Sequence, residues 1–296
     1  MPVGLSILIP VFNRDVTVLV GSLLHQVSDW PGGVEIRLLD DKSDEEYRVK
    51  NRPLGALAGV WYEELPANVG RAAIRNRLAA SANHEWLLLL DNTSQLPDKE
   101  FVARYHAALG QAPVLAGGVC YAAQPPADPA LRLRWLYGWQ REARPLAQRQ
   151  AAPYDQLLVN NLLISKALLQ RFPLDESLCG YGHEDTKLGW QLAGAGVPVR
   201  HLANPVLHAG LETAAAFLQK SEQAVRNLAY LLHQSGLGAD SRLVQTARRL
   251  RRLWLGAGAR AALALCAPLL RRNLLSTNPS LRALDALKLF WLLREE

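Results

Sequence analysis

The sequence predicts an α/β protein: a mostly parallel sheet with helices on both faces, then a helical C-terminal region. Three observations carry that expectation. Short apolar runs alternate with segments of helical periodicity through the first third of the chain, as strand–helix–strand units require. Three of the apolar runs stop abruptly at polar clusters, Asn13-Arg14, Asp40-Asp41 and Asp91-Asn92-Thr93. From Thr213 onward the periodicity is helical to the end.

Leu5 to Val11 reads as a buried strand, and a helix follows with Asp15 near its start and Val16, Leu19, Val20, Leu23 and Leu24 on one face. Val34 to Leu39 is a second strand and Gly59 to Glu63 a weaker third. Arg71 to Ala82 is a helix, Trp86 to Leu90 a fourth strand, and Val114 to Val119 a fifth. Residues 121–156, rich in Pro, Arg and aromatics, read as a long excursion from the sheet. Leu157 to Ile164 leads into a helix near Ser165 to Arg171. Glu184 to Ala193 is another helix, and Val197 to His201 a short strand. Breaks in the helical tail fall at Gly236-Leu237-Gly238 and Asn278-Pro279. The expected division is one α/β domain over 1–211, made of halves 1–110 and 111–211, and a helical region over 212–296.

The 296 residues are 49% hydrophobic and 20% charged, a globular composition that excludes extensive disorder. The net charge of +6 concentrates late, in Arg248-Arg249, Arg251-Arg252 and Arg271-Arg272. Such a patch can face phosphates, an anionic membrane or nucleic acid, or simply solvent. Cys120, Cys179 and Cys266 include no Cys-x-x-Cys pair. That argues against a disulfide framework and a cysteine zinc site, and fits a reducing cytoplasm. Neither a signal peptide nor a run of about 20 apolar residues is evident.

In an open α/β sheet ligands bind at the carboxyl ends of the strands, where all three polar clusters fall. A carboxylate in Asp40-Asp41-Lys42-Ser43 can accept the imide N–H of a uracil or thymine ring; it can also cap a helix. Asp91 emerges from Leu87-Leu88-Leu89-Leu90 and can hold Mg²⁺ or Mn²⁺ against a diphosphate, or open a turn. In Gly180-Tyr181-Gly182-His183-Glu184-Asp185, paired carboxylates stand at a helix start, suited to a base or to plain capping. His208 can ligate a metal or serve structure.

Taken together these residues resemble glycosyltransferase family 2, the inverting GT-A enzymes. Pro10-Val11-Phe12-Asn13-Arg14 resembles the opening Pro-x-(Tyr/Phe)-Asn, Asp40-Asp41-Lys42-Ser43 the Asp-Asp-x-Ser element, and Asn68-Val69-Gly70-Arg71 with Arg75-Asn76 the Asn-x-Gly…Arg-Asn segment. Asp91-Asn92-Thr93 occupies the place of the Asp-x-Asp motif. Gly182-His183-Glu184-Asp185, with Gly196 and His208, resembles the Gly-x-Glu-Asp…His signature of the galactosyltransferase-like half. The resemblance implies a GT-A fold and a nucleotide-sugar donor contacted by Pro10, Asn13, Asp40, Asp41, Arg71, Arg75, Asp91 and Asn92. It implies Asp185 as base with Glu184 beside it, and Mn²⁺ or Mg²⁺ held by Asp91 and His208. Thr93 departs from the motif, removing one carboxylate from the metal's environment.

The function so implied is inverting transfer of a sugar from a UDP- or dTDP-type donor to a glycan or lipid-linked acceptor, as in surface polysaccharide synthesis. The alternative is a catalytically inactive nucleotide-sugar or glycan binding protein. Nucleic-acid binding leaves the strand-end acids unexplained, because carboxylates at a binding edge repel phosphate. Arginine pairs with Leu243, Leu250, Leu253, Trp254 and Leu255 over 242–275 suit a helix lying on an anionic membrane. They equally suit packing on the catalytic domain or in a homodimer. The expected location is cytoplasmic, at the inner face of the membrane.

Overall fold

A computed structural model describes residues 3–28, 30–155, 157–178 and 180–295. Cys179 lies outside the described residues; Cys120 and Cys266 are free thiols. The chain forms two compact units. The first comprises Met1–Tyr121, Glu142–Ser177 and Glu184–Gly210; the second comprises Ala122–Arg141, Leu178–His183 and Leu211–Glu296.

Among the described residues the first unit holds ten strands: β1 Leu5–Val11, β2 Val34–Asp40, β3 Val60–Glu64, β4 Trp86–Leu90, β5 Ser94–Gln95, β6 Val114–Ala116, β7 Val119–Cys120, β8 Asn161–Ser165, β9 Val199–His201 and β10 Val206–His208. Its helices are α1 Thr17–Val27, α2 Glu45–Asn51, α3 Arg71–Ser81 and α4 Phe101–Ala108; after α5 Arg132–Tyr137 of the second unit come α6 Leu146–Ala151, α7 Lys166–Arg171 and α8 Glu184–Gly194. Seven strands make the main sheet in the order β3-β2-β1-β4-β8-β6-β9. All of its pairings are parallel except those of β8, which runs antiparallel to both β4 and β6. The near-continuous apolar runs of β1 and β4 follow from this layout, because a strand inside a helix-covered parallel sheet is buried on both faces. Leu5, Ile7, Leu8, Ile9, Leu87, Leu88 and Leu90 are accordingly sealed from solvent.

Register decides what the sheet presents. Val11 pairs with Asp40 across β1 and β2, and Leu8 with Leu89 across β1 and β4. The chain therefore leaves β1, β2 and β4 on one edge, with Asn13, Asp41 and Asp91 just beyond. Strand order reverses between β1 and β4, the switch point where such sheets open a crevice.

The expected fifth strand, 114–119, breaks in two. β6 stays in the main sheet, while β7 joins a small sheet ordered β5-β10-β7. The cause is the corner at Gly117-Gly118, where Gly118 has φ +86°, open to glycine at little cost. Buried Asn161 holds that corner: its Nδ2 donates to the carbonyls of Gly118 and Asn204, both at 2.8 Å, and its Oδ1 accepts from the Tyr105 hydroxyl at 2.7 Å. A side chain would not fit there. A Cβ on Gly117 would lie 2.3 Å from Asn161 Nδ2 and 2.5 Å from both Asn204 O and Tyr105 Oη.

In the second unit, among the described residues, α5 packs on α9 Ala214–Ser235 and α12 Leu281–Glu295, while α10 Arg242–Arg252 and α11 Gly256–Leu274 pack on α12 and on each other. Thr213 caps α9 through its hydroxyl, and Gly236 ends it in the left-handed conformation. Phe217, Leu228, Leu231, Leu284, Leu287 and Trp291 are buried. The tail breaks once more than periodicity predicts, at 253–255 between α10 and α11. Within the expected excursion of 121–156, residues 122–141 supply α5 to this unit, with Tyr137 against Phe217 at 5.0 Å between ring centroids. No described helix is long and apolar enough to cross a membrane.

The Gly117 corner makes a first prediction. Gly117→Ala should lower unfolding stability by about 1–3 kcal/mol, as overpacking a rigid site does, read from denaturant midpoints; an unchanged midpoint would show that the corner yields.

Candidate active site

α3 begins after Gly70, and its first turn places Arg71 and Arg75 on one face, four residues apart. Arg75 is buried, and its guanidinium grips Asp91 Oδ1 through Nη2 while Nη1 donates to the Arg71 carbonyl at 2.9 Å. Its Nε has no acceptor among the described residues. Arg71 Nη2 stands 4.0 Å from Asp91 Oδ2, and Arg71 Nε donates to Glu184 Oε1 at 2.8 Å. Two residues on one helix therefore link the acid at the end of β4 to the acids at the start of α8.

Electrostatics separates these three carboxyls. Burial alone would raise the Asp91 carboxyl, but Arg75 and Arg71 hold it below the usual range. Burial opposes the charge of Glu184 as well, and Arg71 overcomes it, so that carboxyl is also depressed. Asp185 has no arginine of its own. Burial first, then the negative charge of Glu184, pushes it up to about 7, although the Thr186 N–H donates to its Oδ1 at 2.7 Å. A carboxyl in that range exchanges protons near neutrality, as a general base must.

His208 enters through the small sheet. β10 pairs antiparallel to β5 with His208 opposite Ser94, which brings its Nδ1 to 3.2 Å from Thr93 Oγ1. The chain beyond passes so close that a Cβ on Gly210 would lie 2.2 Å from Thr93 Cγ2. Tyr121 packs against the imidazole with centroids 5.3 Å apart, and its hydroxyl donates to Glu142, whose charge also raises Asp185. Tyr121 and Glu142 escape sequence reasoning because no motif contains them; only the closing of this ring of contacts reveals them.

The remaining predicted residues form a second group at the ends of β1 and β2. Asp41 is buried and accepts from the N–H groups of Val69 at 2.7 Å and Gly70 at 3.1 Å. Asp40 is sealed inside, accepting from Ser43 N at 2.7 Å and the Tyr62 hydroxyl at 3.2 Å. Asn13 exchanges hydrogen bonds with Asp44, and Asn92 Nδ2 donates to the Phe12 carbonyl at 3.2 Å. Pro10, paired with Leu39, lies within β1 just below this edge.

A metal fits only in company. Among the described residues no three His, Cys, Asp or Glu side chains converge as a metal cluster. Asp91 and His208 offer one carboxylate and one imidazole, and the carboxylate already serves Arg75. An octahedral Mn²⁺ or Mg²⁺ needs about six ligands, so these residues suit an ion carried with a diphosphate rather than a resident one.

The family model for glycosyl transferase family 2 matches residues 6–158, the segment that carries β1 to β4, the arginine pair and Asp91. The chain belongs to that family. This glycosyltransferase is similar in fold to a mannosyltransferase from Pyrobaculum calidifontis, solved with GDP-mannose and Mn²⁺, at 16% identity and TM-score 0.57, over 96% of this chain and 78% of that one. It is also similar to residues 1–349 of S. aureus TarS, at 18% identity and TM-score 0.52, over 99% and 90% of the two chains. The same TarS fragment in complex with UDP gives 16% identity and TM-score 0.53 over the same shares. Identities this low establish the GT-A fold. Comparison with curated protein sequences gives no match.

The acid pair of this glycosyltransferase makes the second prediction. Removing the negative charge of Glu184 favours ionisation of Asp185, and leaves the Arg71 charge uncompensated, which acts in the same direction. In Glu184→Gln the acid limb of the kcat–pH profile, near pH 7 in the parent, should therefore move to lower pH. A limb that stays in place or moves upward would show that Asp185 is not the group reported.

Proposed function

We propose that this glycosyltransferase transfers a sugar with inversion from a nucleoside-diphosphate sugar to a hydroxyl of a glycan or lipid-linked acceptor, at the inner face of a membrane in surface polysaccharide synthesis. One observation carries the reading: Asp185, pushed up to about 7, stands in the same constellation as an Asp91 held ionised by two arginines. Groups whose environments drive their pKa values apart divide into acid–base and electrostatic roles.

In this reading the acceptor oxygen attacks the anomeric carbon, its bond to that carbon forming as the carbon–oxygen bond to the diphosphate breaks. Asp185 takes the hydroxyl proton, and Glu184, steadied by Arg71, orients the acceptor. Arg71 and Arg75 bring positive charge to the donor side. Asp41 reads the base: its oxygens accept two backbone N–H groups and keep lone pairs for an imide N–H, which favours UDP- or dTDP-sugars. The fold relatives support a nucleotide-sugar donor, one holding GDP-mannose and TarS holding UDP-GlcNAc. A divalent cation bound with the donor would supply charge that stabilises the departing diphosphate, held by Asp91 and His208.

Asp185→Asn should reduce turnover by at least ~10²-fold while leaving donor affinity nearly unchanged, measured with a panel of UDP-, dTDP- and GDP-sugars. Turnover within a few-fold of the parent would remove Asp185 from the role of base.

Ligand counting makes a separate prediction. Mn²⁺ should bind weakly alone and at least ~10-fold more tightly with UDP present, because phosphate oxygens complete its shell. In Asp91→Asn, calorimetric titration should show that enhancement lost. Indifference of UDP binding to both chelator and substitution would make transfer metal-independent.

A further inference from the structure

Residues 241–284 contain nine arginines and no acidic residue. α10 buries Val244 and Ala247 and leaves Arg242, Arg248, Arg249, Arg251 and Arg252 exposed. Among the described residues, no carboxylate lies within ion-pairing distance of Arg248, Arg249 or Arg252. Between α10 and α11 stands Trp254, 94% exposed and flanked by the exposed Leu253 and Leu255. Its φ of 61° is uncommon for a bulky residue. The turn is nonetheless built, with Trp254 N bonded to Arg251 O at 2.8 Å and Leu255 N to Leu250 O at 2.9 Å. It holds out to water the side chain that costs most to leave there.

α11 continues the pattern. Its inward positions Leu263, Ala267, Leu270 and Leu274 fall three or four residues apart. The opposite face is apolar too: Ala261, Ala262, Leu265 at 83% exposure and Leu269 at 68%. Charged side chains normally cover a solvent-facing helix surface, and contiguous exposed apolar surface marks a contact.

Three properties choose the contact. Arginines surrounding an apolar face match a surface that is anionic outside and greasy beneath, and tryptophan favours that boundary. A two-fold contact between copies would set this patch against itself, arginine facing arginine with no acid in the segment to compensate. α11 itself, with Arg260, Arg271 and Arg272 among its 19 residues, is not apolar enough to cross a membrane.

We propose that the Leu253–Leu255 turn and the outward face of α11 seat this protein on an anionic lipid bilayer, with Trp254 at the headgroup level. This surface gives a structural basis to the membrane contact proposed above, yet rests on none of the transfer chemistry. A chain that transfers sugar but ignores vesicles, or the converse, separates the two.

The experiment is flotation of the full chain with vesicles of phosphatidylcholine, with and without about one third phosphatidylglycerol. The parent should float with the anionic vesicles and be released by salt. Trp254→Ser combined with Leu265→Ser should reduce partition at least ~10-fold. Arg248→Gln, Arg249→Gln and Arg252→Gln together should reduce it on the order of 100-fold, at roughly fivefold per arginine. Both variants should keep the parent's melting temperature, since every altered side chain is exposed. Failure of the parent to bind anionic vesicles at low salt, or equal binding by parent and variants, overturns the proposal. So does a Trp254→Ser variant that converts a dimer to a monomer in light scattering while binding vesicles as before.

Discussion

The ion pair between buried Arg75 and Asp91 is the constraint on which the first unit's polar edge depends. Removing two charges from water is costly, and the pair persists only because each partner neutralises the other; losing one partner of such a pair costs about 3–5 kcal/mol. α3 packs over β1 and β2, and the pair ties it to the residue that follows β4, so the helix bearing the arginines and the strand leading to the acid are fixed to each other. Arg71, one turn earlier, extends the link to Glu184 at 2.8 Å. The acids at the start of α8, 93 residues along from Asp91, are thereby tied to the switch point of the sheet.

That arrangement distributes charge unevenly, and the unevenness matters chemically. Asp91 and Glu184 each have a guanidinium, so their carboxyls are held ionised against burial. Asp185, next along the chain, is pushed up to about 7 by burial and by the charges of Glu184 and Glu142, against the Thr186 N–H and the more distant Arg71. Adjacent residues on one helical turn thus acquire opposite shifts because their side chains leave the backbone in different directions, one onto an arginine and the other away from it.

The small three-stranded sheet does a different job. It turns the chain at Gly117-Gly118, pairs β10 with β5, and so delivers His208 and Tyr121 to the end of β4. Thr93 in place of a second carboxylate makes a neutral contact with His208 where an acid would have made a charged one.

Strands β1 and β4 were legible because a strand buried on both faces is apolar along almost its whole length, whereas β2 and the edge strand β3 carry Glu35, Arg37, Glu63 and Glu64 and were marked instead by their Val, Ile, Trp and Tyr residues. Periodicity marked α3, α8 and the helical tail for the same kind of reason, and the strand-end acids stood out because a carboxylate directly after such a run is costly without a use. Periodicity did not disclose the break within 114–119, since six apolar-compatible residues look alike until Asn161, more than forty residues away, captures the corner. Nor could it assign 122–141 to the helical unit, or find Glu142. Tertiary structure alone decided that Arg75 pairs with Asp91, that Arg71 reaches Glu184 rather than water, and that His208 meets Thr93. Local sequence determines what each segment can bury; which charges finally meet depends on distances that exist only after the sheet has closed.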